Sequence, residues 1–144
     1  MNVNEVVGEF LKTVGNNRRF GRMLYNYIDE PKEKPQKIFM LDDLREIGKS
    51  KLKDIAAQTG HSTQNLCSLY SGLEKEGLIG REVDLNDRRN TYYFITKKGE
   101  KILNENQRKA RNVIKDIFLK LSSDDLDELK KCLEKTNSII EKVL

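Results

Sequence analysis

Two short amphipathic segments meet at Gly60, and together they leave few architectures open. In "KLKDIAAQTG", Leu52, Ile55 and Ala56 fall on one helical face. Gly60 follows directly, where a left-handed residue closes a helix. "HSTQNLCSLYSGLEKEGLI" restarts at once, with Ser62 in the position of an N-cap. A helix, a tight glycine-containing turn and a second helix make the helix-turn-helix pattern. Two alternating stretches come next, "IGREVDL" and "TYYFIT", joined by "NDRRN". They predict a β-hairpin whose loop is longer than the tightest turns.

The flanks read as helices. From Val6 to Ile28 the apolar residues recur mostly at helical spacing, through Phe10, Leu11, Val14, Met23 and Leu24, with Gly15 and Gly21 weakening the middle. "DEPKEKPQK" holds both prolines, and Pro31 and Pro35 are expected to stop that helix and form a charged connector. Ile38, Met40, Leu41, Leu44 and Ile47 mark a second amphipathic helix that ends near Gly48. A long helix is expected from Lys97 to Leu121, polar in its middle. Ser122 with Asp125 then resembles a capping box for a last helix. There Leu126, Leu129, Leu133, Thr136, Ile140 and Val143 step by three and four, a coiled-coil-like seam that needs a partner surface. The expected fold is mainly α with a small β-hairpin wing. The expected division is an N-terminal helix at residues 1–35, a winged helix-turn-helix core at 36–100 and C-terminal helices at 101–144; that the terminal helices serve dimerisation is implied by a family resemblance described below.

Composition agrees with this arrangement. Hydrophobic residues make up 37% and charged residues 35% of the 144, which is polar for a self-contained globule. It suits long, partly solvated helices that complete their core against a second subunit. A net charge of +4 is compatible with a polyanionic partner. The first residues carry no basic start followed by an apolar run, so no signal peptide is expected, and no apolar run approaches a membrane span. Two distant cysteines, Cys67 and Cys132, and one histidine, His61, cannot furnish a zinc site. A reduced, cytoplasmic, metal-free and cofactor-free protein is expected. Without a nucleophile–base pair at recognisable spacing or a glycine-rich phosphate loop, no enzyme is expected.

Rotating roughly 100° per residue along the helix after Gly60 sets Leu66, Leu69, Tyr70 and Leu73 on one side. Gln64, Ser68, Ser71 and Lys75 fall opposite, flanked by Asn65 and Gly72. An ordinary solvated face in so charged a chain would carry Glu and Lys. Amides and hydroxyls can instead approach base edges, with Gln or Asn bonding adenine in a bidentate way. The blander role for such residues is to satisfy local backbone groups. Ser62 and Thr63 can cap the helix and also donate to phosphate.

Arg88 and Arg89 stand at the hairpin tip, where they bury nothing. A wing-tip Arg can enter a narrow, A·T-rich minor groove. Arg81 and Lys97, near the hairpin base, could add phosphate contacts. Asp84 and Asp87 are candidate wing-bracing residues, since a carboxylate can hold one guanidinium in a fork and leave the other projecting. Asp87 with Arg88 can simply brace the turn; the residues leave open which of the two arginines is held, and Arg89 is favoured as the groove residue.

The stretch from "LKDIAAQTGHSTQNL" through "LEKEGLI" and "DLNDRRN" to "ITKKG" resembles the core of a MarR-family winged helix-turn-helix regulator. The resemblance implies a homodimer with intertwined terminal helices. It implies a pseudo-palindromic double-stranded DNA site and, usually, repression. For many members it also implies release by a small phenolic or lipophilic effector bound between the dimerisation and DNA-binding regions. Tyr25, Tyr27, Phe39 and Phe118 are candidates to line such a pocket, although helical aromatics are more often core. Cysteine sensors of this family carry their reactive Cys near the N-terminus, and none lies there. Cys67 and Cys132 are expected to be packing residues, and His61 a polar turn residue near phosphate. Two alternatives stand beside a DNA-binding repressor. One is a winged-helix protein-interaction module without DNA binding; the other is a redox-responsive regulator using Cys67.

Overall fold

The computed structural model describes residues 2–28 and 33–144. It contains six helices and three short strands, and it divides into two compact units. One is drawn from Met1–Ile28 and Ala110–Leu144, the other from Asp29–Lys109. The expected role of Pro31 in stopping the first helix falls outside the described residues.

In the second unit, α2 spans Pro35–Ile47. Pro35 is its first residue and not part of a connector, because a helix start tolerates a missing N–H. β1, Ser50–Lys51, leads into α3, Leu52–Thr59. Gly60 takes φ +72°, and its N–H donates to the Ala56 carbonyl at 3.0 Å. That is the left-handed closure expected of glycine. Helix α4 spans Thr63–Lys75, β2 Ile79–Val83 and β3 Thr91–Ile95.

The strands form one antiparallel sheet in the order β1-β3-β2, with Arg81 opposite Tyr93, and Lys51 and Glu82 both opposite Tyr92. The wing is therefore three-stranded and not a bare hairpin. β1 is too short to show alternation in the sequence and exists only because β3 offers it an edge. The first hairpin strand also stops at Val83, before Asp84 and Leu85.

The core of this unit is built from α2 (Met40, Leu41, Leu44), α3 (Ile55, Ala56), α4 (Leu66, Tyr70, Leu73), the turn into β2 (Leu78, Ile79) and Leu103. The Tyr70 ring meets Tyr93 edge-on at 5.4 Å, which ties α4 to the sheet. Helix α5, Lys97–Phe118, begins here. A Cβ on Gly99 would lie 2.1 Å from the Leu78 carbonyl oxygen, so only glycine allows α5 to start this close to β2.

In the first unit, α1 spans Val3–Tyr27, capped by the Asn2 side chain, which accepts from the Asn4 N–H at 3.1 Å. It thus starts three residues before the periodicity suggests. Helix α5 ends at Phe118 and not Leu121; the Leu121 N–H folds back to the Phe118 carbonyl at 3.0 Å. Helix α6, Ser123–Ile140, carries the expected cap. Ser122 Oγ accepts from the Asp125 N–H at 3.1 Å and donates to its carboxylate at 2.7 Å.

Neither α1 nor α6 holds a buried residue. Val6, Val7, Phe10, Leu11, Leu133 and Ile139 are all exposed. Phe20 and Phe118 form a tilted ring pair at 6.2 Å. Cys67 and Cys132 are both exposed, which corrects the packing role expected of them. Tyr27 and Phe39 are exposed as well and do not belong to a core.

Among the described residues no helix is long and apolar enough to cross a membrane, and no cluster of His, Cys, Asp and Glu could hold a metal.

Candidate nucleic-acid interface

Helix α4 turns its apolar side inward as the 3.6-residue period requires. Leu66, Tyr70 and Leu73 are buried, while Gln64, Asn65, Ser68, Ser71 and Lys75 are exposed. The side chains of these five make no hydrogen bond or ion pair among the described residues. The polar face therefore does no local backbone work, with one exception. The Ser62 hydroxyl accepts from the Asn65 N–H at 3.1 Å, the cap its sequence position suggested. Thr63 beside it is exposed.

The C-terminal end of α4 is fixed by charge. Lys37 bridges Glu33 at 2.8 Å and Glu76 at 2.7 Å, and these carboxylates raise the pKa of its ammonium. The Lys98 ammonium donates to the Glu76 carbonyl at 2.7 Å. The Thr96 hydroxyl reaches the Gly77 carbonyl at 2.7 Å and accepts from the Gly99 N–H at 3.1 Å. One hydroxyl thus joins the exit of α4, the end of β3 and the start of α5. On the inner face of α4, burial pushes the Tyr70 phenol up to about 12, with Asp43 adding to the shift. Burial also raises the Asp43 carboxyl, as does its neighbour Asp42, while His61 opposes them. His61 is exposed in the turn between α3 and α4, as expected.

The wing loop is pinned at both aspartates. The Asp84 N–H donates to the Asn90 carbonyl at 2.9 Å, and its carboxylate accepts from the Asn86 N–H at 2.9 Å. This is the turn that Asx residues favour. Asp87 accepts from the Arg89 N–H at 3.1 Å, from Arg89 Nε at 3.0 Å and from Arg89 Nη2 at 3.2 Å. These bonds hold the Asp87 carboxyl below its ordinary value, with Lys51 adding to the effect.

The braced arginine is thus Arg89, not Arg88; the residue types left that choice open, and the bonding runs against the preference for Arg89 as the projecting one. The reason is local: the Arg89 N–H already points at Asp87, and its guanidinium folds onto the same carboxylate. Arg89 remains 91% exposed at its side chain. Arg88 is exposed and has no partner among the described residues.

Arg81 departs from expectation too. Its Nε lies 3.0 Å from a carboxylate oxygen of Glu74, in the last turns of α4, so this cation is matched within the chain. Lys97 is exposed.

Two basic residues escaped the sequence reading. β1 brings Lys49 and Lys51 beside the wing, with their ammonium groups 5.9 and 5.8 Å from the centre of the Tyr92 ring. Lys49 also pairs with Glu82. The alternating lysines of "KSKLK" were the available signal, but without knowledge of β1 nothing connected them to the hairpin.

No protein-family model matches the sequence, and no curated protein matches it either. Solved structures do match along nearly the whole chain. A MarR family protein from Bacillus stearothermophilus superposes with a TM-score of 0.74 at 20% identity, covering 98% of this chain and 99% of that one. The transcriptional regulator BldR from Sulfolobus solfataricus gives 0.69 at 19% identity, covering 99% of each. Streptococcus pneumoniae FabT, solved in complex with DNA, gives 0.66 at 18% identity, covering 97% of this chain and 99% of that one. With six helices, a small antiparallel sheet and a helix-turn-helix in this order among the described residues, the chain has the winged-helix fold of the MarR-type transcriptional regulators.

Proposed function

We propose that this chain is a sequence-specific DNA-binding transcription regulator, acting as a dimeric repressor on a pseudo-palindromic operator. The observation that carries the reading is the outward face of α4. Its amides and hydroxyls are exposed and unbonded in a chain otherwise rich in charge, beside a loop that presents two arginines. FabT, a structure of like fold, was solved with DNA, which supports the same reading.

Each part then has a role. Helix α4 enters the major groove, where Gln64, Asn65, Ser68 and Ser71 meet base edges. Ser62, Thr63 and Lys75 contact phosphates at its two ends. Arg89 reaches the adjoining minor groove. Asp87 holds its guanidinium in one pose, so less side-chain freedom is lost on binding, and Nη1 takes no bond to that carboxylate. Arg88, unpaired, takes phosphate. Arg81 contributes only if it leaves Glu74. The exposed apolar residues of α1 and α6 bury themselves against a second copy, and two α4 helices then address successive major grooves about 34–36 Å apart. Release by a small phenolic or lipophilic molecule belongs to the same reading. The exposure of Cys67 on α4 favours a second one, in which oxidation at that helix weakens DNA binding.

The test is selection of bound duplexes from a random pool, repeated with an oxidant and with phenolic ligands. An enriched inverted repeat is expected. A pool with no enrichment over the starting library would discard the proposal.

A further inference from the structure

Five cations surround the wing: Lys49, Lys51, Arg81, Arg88 and Arg89. Three are already matched by carboxylates of the chain, Lys49 by Glu82, Arg81 by Glu74 and Arg89 by Asp87. Arg88 and Lys51 are left. Arg88 is a tip residue of the kind any charged loop can carry. Lys51 is different, because three separate features fix its position.

Lys51 is the second residue of β1, and the sheet register sets it directly across from Tyr92. Its ammonium stands 5.8 Å from the Tyr92 ring centre, close enough for a cation–π contact. It is also the N-cap residue of α3, the first helix of the helix-turn-helix, and its extended backbone (φ −72°, ψ 149°) turns the chain from sheet to helix there. Among the described residues no hydrogen bond or ion pair at contact distance occupies the ammonium; its charge is felt by Asp87, but that carboxylate is bonded to Arg89. An ammonium held near a ring face keeps its full charge and its N–H donors, so it can still serve an external anion. Lys49 lies against the same ring, at 5.9 Å, but spends its charge on Glu82.

We propose that Lys51 is a phosphate-binding residue of the wing, seated on Tyr92 between the helix-turn-helix and the arginine-bearing loop, and that Lys49, withdrawn by Glu82, is not. This rests on the DNA-binding reading above. It adds a contact from β1, a strand that the sequence did not disclose. It also makes two lysines on one ring unequal, so each is a control for the other.

The experiment measures affinity of the full-length protein for a selected duplex over a range of KCl concentrations, by fluorescence anisotropy. Removing one lysine–phosphate interaction should flatten the slope of log affinity against log salt by about 0.9. Lys51→Gln should flatten it by that amount for each chain bound, Lys51→Arg should restore it, and Lys49→Gln should leave it in place. An unaltered slope in Lys51→Gln, or equal flattening in Lys49→Gln, overturns the proposal while DNA binding stands. A wild-type protein that binds no duplex removes the DNA-binding reading itself, and Lys51 with it. A second measurement needs no variant: acetylation of lysines in the wild-type protein, mapped by mass spectrometry with and without duplex. DNA should protect Lys51 more strongly than Lys49, and equal labelling of Lys51 in both samples counts against the assignment.

Discussion

The two units of this molecule solve the burial problem differently. The winged unit closes on itself: Leu41, Leu44, Ile55, Leu66, Tyr70, Leu78, Ile79 and Leu103 are at or near zero exposure. The unit formed by the termini does not. Helices α1 and α6 have clear apolar stripes yet bury none of their residues, and Phe10, Leu11 and Leu133 are half-exposed or more. An apolar stripe of that length is stable in water only when something covers it. The lesson is that one unit has a finished framework, on which the proposed function places a surface for an outside molecule. The other is an unfinished framework, which the same proposal completes with a second chain.

Substitutions can break that contrast, and the largest effect belongs to the finished core. Leu44→Ala should cost about 2–5 kcal/mol of stability, read as a lowered denaturation midpoint. A loss under about 1 kcal/mol, the range typical of surface changes, would mean that this unit is less complete than its burial implies.

The next largest effect lies in the other unit. Phe10→Asp with Leu133→Asp should leave the winged unit folded but shift sedimentation from a two-chain to a one-chain mass, weakening self-association by at least about tenfold, or roughly 1.4 kcal/mol. If wild-type protein already sediments as one chain, the proposed role of α1 and α6 is lost.

A smaller effect sharpens the comparison within the wing. Glu74→Gln frees Arg81, at a stability cost of about 0.2–1 kcal/mol for an exposed pair. The freed cation should steepen the salt dependence of DNA binding by about 0.9 per chain. An unchanged slope would show that Arg81 lies out of reach of DNA even when released.

The smallest concerns pH. Asp87 has its carboxyl depressed mainly by Arg89, so the bracing is fully present above the ordinary Asp value and fades as pH falls through the lower, folded value. Carboxyl NMR should find Asp87 titrating lower than an unpaired aspartate and returning toward the ordinary range in Arg89→Ala. No movement on that substitution would assign the depression to another group.

Periodic features were legible in the sequence. The helices, the Gly60 closure, the Ser62 and Ser122 caps and the outward face of α4 all follow from spacing and backbone chemistry within a few residues. What escaped reading depends on contacts between distant segments. β1 owes its existence to β3. Arg81 finds Glu74 only once α4 and β2 are side by side. Arg89 rather than Arg88 takes Asp87 because of the loop's particular turn, which residue types alone leave open. The early start of α1 hangs on Asn2, a polar residue outside any apolar pattern.

The unbonded outer face of α4 has one more consequence. Since Gln64, Asn65, Ser68 and Ser71 support nothing in their own chain, mutation can exchange them at little thermodynamic penalty. If the proposed DNA-reading role holds, a lineage could therefore drift to new targets by rewriting four letters while inheriting the scaffold untouched, and a protein engineer could take the same route.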